Sequence, residues 1–241
     1  MHSEAAIAMR RVVVTGIGFV SPLGVGNDIV WQRLLLGSRG GRYLNDETFA
    51  NVPVRVAATV PRRGDTQRRH FLDSSTSATA TRTPVVSDSM FDPSDWLLRE
   101  DARTISGVGA IEYAMAASAM ALESSGLLAD ASFNPSRCGT CIGTGMSPMP
   151  EIAAAHATVA DGRARRVSPF FVPRVLTNMA AGHVSMRFGL RGPSSAPSTA
   201  CTTGAHAIGD AARWLQLGMA DYAVAGASEA AVEPLSIAGF A

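Results

Sequence analysis

Cys201 lies in the run STACTTGAHA at residues 198–207, where small residues in an extended pattern give way to an amphipathic helical one. A thiolate attacks a thioester readily, and the thioester it forms remains a reactive electrophile, so the residue type suits acyl transfer. Upstream, Gly192-Pro193 and the stretch Ser194-Ser195-Ala196-Pro197 exclude helix and favour an extended approach. Downstream, Ala205, Ile208, Ala212 and Leu215 share one helical face over 202–217, and Gly218 marks the end. The pattern therefore predicts Cys201 as the first residue of a helix. Unpaired N–H groups there favour a thiolate and can receive the oxyanion of a thioester under attack. A cysteine between small residues also packs as a small hydrophobe, and on this physics alone both readings stand.

Other reactive types are less well arranged. Cys138-Gly139-Thr140-Cys141 has the spacing of a thiol-disulfide pair, but in a strand these side chains point to opposite faces. No second CxxC or neighbouring histidine completes a zinc set. Gly16-Ile17-Gly18 resembles the start of a dinucleotide fingerprint, yet Ser21 replaces the third glycine and Pro22 follows, which reads as a structural turn. His206 is five positions after Cys201, about 140° away around a helix, so it does not face the thiol. His183 reads as a packed or capping residue and His156 as a solvated helix residue; His70 lies in an irregular segment and His2 in the tail.

Composition limits the alternatives. The 241 residues are 46% hydrophobic and 17% charged, enough for a large core in one or two domains. A net charge of +1 makes no whole-chain case for nucleic acid, and no apolar run approaches the roughly 18 residues of a membrane span. Three cysteines cannot form a fully paired framework, which favours a reducing compartment. All 21 basic residues are arginine, a bias from which no function follows.

The elements that must position these residues alternate between strand and helix. Residues 11–15 (RVVVT) read as a buried strand leading into Gly16-Ile17-Gly18, followed by a helix over 27–36 closed by Gly37. An edge strand is predicted over 52–60, beside Pro53. Residues 62–89, with paired arginines and a Ser/Thr-rich core, lack hydrophobic period and read as a mobile surface insert. A helical turn at 92–95 precedes a buried alanine-rich helix over 105–125, closed by Gly126. A strand over 137–143, helices over 149–161 and 177–188, and a small-residue strand over 221–228 complete an α/β pattern suited to a parallel sheet.

Four segments carry a family resemblance: VVVTGIGFVSPLG (12–24), VSPFFVPRVLTNMAAGHVS (167–185), GPSSAPSTACTTGAHAIGDAARW (192–214) and ADYAVAGASEAAVEPLSIAGF (220–240). Together and in this order they resemble the β-ketoacyl-acyl-carrier-protein synthases, in particular the elongating enzymes of bacterial and mitochondrial fatty-acid synthesis. The resemblance covers residues 11–241 apart from the insert, with 1–10 as a tail. It implies the N-terminal half of a thiolase-like α/β fold, a mixed sheet with helices on both faces, and a homodimer. The implied reaction is decarboxylative Claisen condensation: an acyl group moves from acyl-carrier protein to the cysteine, and the carbanion from malonyl-carrier protein then attacks it. No metal or redox cofactor is implied.

Transferred residue by residue, the resemblance makes Cys201 the nucleophile, in an Ala200-Cys201 pair whose cysteine N–H donates to the oxyanion. Met146 takes the place of an apolar gate to the acyl tunnel, and Phe171 that of an aromatic reaching the tunnel from the neighbouring subunit. Phe240 matches an aromatic near the mouth, and Ser236 stands where glycine is common. Each of these four also reads as core or turn packing. Arg99 and Arg103 fall near carrier-protein contacts, and Arg163, Arg165 and Arg166 form a second basic cluster; a solvated face explains either equally. The family's two catalytic histidines, a lysine and the second oxyanion donor belong to a C-terminal half beyond residue 241.

Two readings follow. One is a fragment of a synthase, inactive in condensation alone, whose lone half exposes apolar surface. The other is a non-catalytic partner of a complete synthase or of acyl-carrier protein. A polyketide-type ketosynthase is a weaker variant of the first. The resemblance leans to a mitochondrial location, with cytoplasm as the alternative, although residues 1–11 carry little transit-peptide character.

Overall fold

The computed structural model describes residues 9–63 and 89–241. The expected insert thus lies outside the described residues except at its ends, and so do His2 and His70. The strands among the described residues are β1 (Val20–Ser21), β2 (Gly24–Val25), β3 (Gly41–Tyr43), β4 (Val56–Ala58), β5 (Cys138–Gly143), β6 (Ser194–Ser195) and β7 (Tyr222–Ala227). The helices are α1 (Asn27–Leu35), α2 (Arg99–Ile105), α3 (Gly109–Ser125), α4 (Met149–Ala160), α5 (Phe171–Val175), α6 (Met179–Phe188), α7 (Thr203–Gln216) and α8 (Pro234–Phe240).

A parallel sheet of order β6-β5-β7 forms the centre. Its middle strand, CGTCIG, is buried at all six positions, as expected of a strand covered on both faces. Cys138 joins Ile111, Met115, Ala181 and Val184 of α3 and α6 on one face, while Cys141 joins Ala207 and Ala211 of α7 on the other. The opposite-face reading of the CxxC pair holds, so these two thiols form neither a disulfide nor a metal clamp. Small strand residues let the helices approach closely. A Cβ on Gly139 would meet the Trp214 ring of α7 at 3.1 Å.

Among the described residues, antiparallel pairing is confined to β1-β2 and β3-β4. The edge strand expected at 52–60 is shorter and pairs with β3, which the sequence pattern does not predict. The helix expected over 105–125 starts later, at Gly109, and is preceded by a separate helix, α2, that the sequence pattern does not predict. Gly107 takes φ +86°, ending α2, and its N–H donates to the Glu112 carboxylate at 2.7 Å while α3 starts at Gly109. Glu112 is fully buried and pairs with Arg62, whose guanidinium lies 5.2 Å from the Phe91 ring centroid and 5.4 Å from that of Tyr113. Backbone bonds from Arg63 to Phe91 and from Phe91 to Pro61 tie together the two chain segments that bracket residues 64–88.

The strand expected at 11–15 does not form. None of these residues makes a backbone hydrogen bond among the described residues, and Val13 and Val14 are exposed. An apolar run supplies strand propensity, but a strand also needs ladder bonds to a neighbour, and this run makes none. Gly16 and Gly18 are likewise not turn glycines. They bring the chain onto α3, where a Cβ would lie 2.0 Å from the Ala121 carbonyl oxygen and 1.9 Å from that of Ala117. Ser124 on the same face bonds both the N–H and the carbonyl of Ile17. Further back, Arg10 and Arg137 both bond Asp221, which holds its carboxyl well below the usual carboxylate range. The exposed apolar side chains include Trp31 and Leu35 of α1 and Ile208 of α7.

This close packing makes Gly18→Ala costly. We expect a loss of about 2 kcal/mol or more, the scale of core overpacking. Gly209→Ala, where a Cβ meets open space inside α7, should instead stabilise by about 0.5–1 kcal/mol. Urea unfolding of both variants checks the pair; an unshifted midpoint for Gly18→Ala would show that residues 16–18 do not dock on α3.

Candidate functional site

Parallel strands deliver their C-terminal ends to one edge, and three loops meet there. β5 continues into Gly143-Thr144-Gly145-Met146, β6 into the turn carrying Cys201, and β7 into Ser228-Glu229. Contact between the first two is close. A Cβ on Gly143 would lie 2.2 Å from both the Pro197 carbonyl oxygen and the Thr203 methyl, and Ser198 Oγ donates to the Gly145 carbonyl at 3.3 Å. Ser228 N–H donates to the Gly143 carbonyl at 3.1 Å, linking the third loop to the first.

Ala200 has φ +52°, the only positive φ at a non-glycine among the described residues. Holding a residue there costs of order 1–3 kcal/mol, so the surroundings must enforce it. Thr203 does so: its hydroxyl donates to the Ala200 carbonyl at 2.7 Å and accepts from the Thr199 N–H at 2.9 Å. Thr202 Oγ donates to the Thr199 carbonyl at 2.7 Å. The outcome is a 3-10 turn over Ala200–Thr202, with α7 starting at Thr203.

Cys201 is therefore not the first residue of the α-helix, as its sequence context predicts, but the middle of the turn before it. The α-helix starts two residues later than expected, at Thr203, whose hydroxyl is engaged with the turn before it. The turn leaves Cys201 exposed, and no described group accepts its N–H. An exposed thiol beside a free amide at a strand-to-helix turn can attack a carbonyl and stabilise the oxyanion in one place.

Residues 9–241 match the family described as beta-ketoacyl synthase, N-terminal domain. The chain belongs to that family. It is 40% identical over 97% of its length to 3-oxoacyl-[acyl-carrier-protein] synthase 2 of Rhizobium meliloti, covering 50% of that protein. It is 39% identical over 96% of its length to the mitochondrial 3-oxoacyl-[acyl-carrier-protein] synthase of Arabidopsis thaliana, covering 47%. This ketoacyl synthase domain thus spans about half the length of the curated relatives it matches. Among solved structures, the ishigamide ketosynthase/chain length factor superposes with a TM-score of 0.74 at 22% identity, covering 97% of this chain and 50% of that one. A beta-ketoacyl synthase from Burkholderia phymatum gives 0.65 at 26% identity, covering 88% and 45%. The fold is the N-terminal half of a thiolase-like α/β domain, as the resemblance implies.

Of the predicted site residues, the structure gathers Ala200, Cys201 and Met146 at the sheet edge. Phe171 opens α5, a separate short helix packed between α4 and α6. Ser236 is buried, its N–H and hydroxyl both bonded to the Glu233 carboxylate at 2.5 Å, so it serves the start of α8. Phe240 is exposed at the far end of that helix. Arg99 and Arg103 sit four residues apart on α2, exposed. His206 pairs with Asp210 at 3.3 Å, and His156 is exposed on α4. His183 is buried in α6, and burial lowers its pKa while Asp101 opposes the shift. None of these histidines hydrogen-bonds Cys201.

Sequence reasoning missed Glu229 and Thr203. Glu229 Oε2 accepts the Met146 N–H at 3.1 Å and Oε1 the Ala230 N–H at 3.3 Å; desolvation pushes its carboxyl above the usual range, with nearby backbone donors opposing. The signal was a carboxylate directly after an apolar strand, at the end where parallel sheets build sites.

The three thiols differ in accessibility. Burial pushes Cys138 and Cys141 up to about 11, whereas Cys201 is exposed. Iodoacetamide at pH 8 should modify Cys201 alone in the folded protein and all three thiols in denaturant, as read by peptide mass. Native labelling of Cys138 or Cys141 would contradict the layered burial of β5.

Proposed function

We propose that this chain is the nucleophile-bearing half of a 3-oxoacyl-acyl-carrier-protein synthase of fatty-acid biosynthesis, and that Cys201 accepts the acyl group. The observation that carries this reading is the enforced φ of Ala200, which presents an exposed thiol beside an unbonded N–H. In the first half-reaction the Cys201 thiolate attacks the thioester carbonyl of an acylated carrier. The new C–S bond forms, the oxyanion is held by the Cys201 N–H, and collapse expels the carrier thiolate, which takes up a proton. Decarboxylation of a malonyl thioester would supply the carbanion for the second half, a step the resemblance assigns to two histidines of the family's C-terminal half.

In this reading Met146 gates the acyl path, Phe171 reaches it from a second subunit, and Ser236 and Phe240 lie toward its mouth. Arg99 and Arg103 offer two exposed guanidiniums on one helix face to an acidic carrier protein. The working assembly is a homodimer. A mitochondrial location draws support from relatives named as mitochondrial in Arabidopsis thaliana and Schizosaccharomyces pombe, alongside bacterial ones. No described helix is long and apolar enough to cross a membrane.

Incubation with acyl-carrier-protein thioesters, followed by peptide mass analysis, tests the proposal. The acyl mass should appear on the peptide containing Cys201 and vanish in Cys201→Ala. An unmodified parent, or equal labelling of the variant, would refute it.

A further inference from the structure

Cys201 sits inside a turn whose backbone is gathered onto one hydroxyl. Thr203 Oγ1 accepts the Thr199 N–H at 2.9 Å and donates to the Ala200 carbonyl at 2.7 Å, so both of its bonds go to the residues just before the nucleophile. The Thr203 N–H bonds that same carbonyl. Thr203 is only 4% exposed, and its methyl packs against Gly143, where an added Cβ would lie 2.2 Å away. The hydroxyl is therefore held in place by the end of β5 as well as by the first turn of α7.

The Ala200 carbonyl and the Cys201 N–H belong to one planar trans peptide unit, in which the oxygen and the hydrogen point in opposite directions. Fixing the oxygen fixes the hydrogen. The oxygen faces Thr203, so the Cys201 N–H faces away from the start of α7, and no described group accepts it. Ala200 reaches this orientation only through its φ of +52°, which a non-glycine residue holds against its preference for negative φ. A valine at 203 keeps the methyl packing and loses both hydroxyl bonds. Ala200 then relaxes toward negative φ and swings the Cys201 N–H with it.

We propose that Thr203 is a positioning residue for acyl transfer, whose hydroxyl aims the Cys201 N–H at the oxyanion without altering the nucleophilicity of the sulfur. The inference rests on the reading of Cys201 as acyl acceptor with its own N–H as oxyanion donor. Attack on a carbonyl uses that N–H, because negative charge gathers on the carbonyl oxygen as the C–S bond forms. Displacement of iodide from iodoacetamide builds no oxyanion and needs only the thiolate. Comparing the two reactions at one thiol separates aim from nucleophilicity.

The full chain is treated with p-nitrophenyl acetate and, separately, with iodoacetamide, and the rate at Cys201 is followed by peptide mass in the parent, Thr203→Val and Thr203→Ser. The ester acetylates the sulfur as its C–O bond breaks and p-nitrophenolate leaves; iodoacetamide alkylates it as iodide leaves. Thr203→Val should lower the ratio of acetylation to alkylation by about tenfold, the scale set by the cost of a non-glycine residue at positive φ. Serine keeps the hydroxyl, so the ratio in Thr203→Ser should stay within about threefold of the parent. An unchanged or raised ratio in Thr203→Val, or equal falls in both variants, would overturn the proposal. Folding is read in the same spectra, since an unfolded chain also alkylates Cys138 and Cys141; if Thr203→Val unfolds, Thr203→Ala replaces it with the same expected fall. Failure of the acyl-acceptor reading is distinguishable, because it appears as a parent that takes no acyl mass from the carrier thioester, whereas the activated ester acetylates any accessible thiolate and the ratio is still measured.

Discussion

Strand β5 is the constraint on which the rest of the site depends. Its six buried residues pair on one side with β6 and on the other with β7 in parallel register. Parallel pairing sends all three strands toward the same edge, so their following loops meet. Two glycines make this possible in different ways. Gly139 lets the Trp214 ring of α7 close on the sheet, and Gly143 lets the end of β5 touch the turn before α7. A side chain at either position would push α7, and Cys201 with it, away from the sheet.

Strain and restraint are paired within the site. The positive φ of Ala200 is unfavourable in isolation, and the Thr203 hydroxyl offsets it by bonding the backbone on both sides of the turn. Such local strain at a nucleophile preorganises it: the thiol is exposed by backbone geometry and needs no side-chain rearrangement to become available. The adjacent loop is treated differently. Its Met146 N–H is bonded by the Glu229 carboxylate from the loop after β7.

Helical elements were legible because their signals are local. Asp92 caps the turn expected at 92–95, and Gly126, Gly189 and Gly218 adopt positive φ where helices were predicted to stop. Boundaries moved where a side chain from elsewhere intervened. Glu112 accepts the N–H of Gly107 where the helix expected from 105 begins only at Gly109, and the helix after Cys201 begins at Thr203, whose hydroxyl bonds the preceding turn. The run at 11–15 had the composition of a buried strand but no ladder, because strand pairing depends on a neighbour that composition cannot name. Gly16 and Gly18 looked like turn residues in sequence, and proved to be contact points against Ala117 and Ala121 of α3.

By itself the sequence determined the α/β class, the family, the central small-residue strands and Cys201 as the reactive candidate, since each is encoded in contiguous motifs or local periodicity. It also placed Cys138 and Cys141 on opposite faces, a consequence of the two-residue period of a strand. Only the tertiary structure decided what surrounds Cys201. Gly145 and Met146, Thr203 and Glu229 come from three segments separated by dozens of residues, and their hydrogen bonds exist only once β5, β6 and β7 lie side by side. Long-range adjacency is a property of the packed sheet, and no spacing along the chain expresses it.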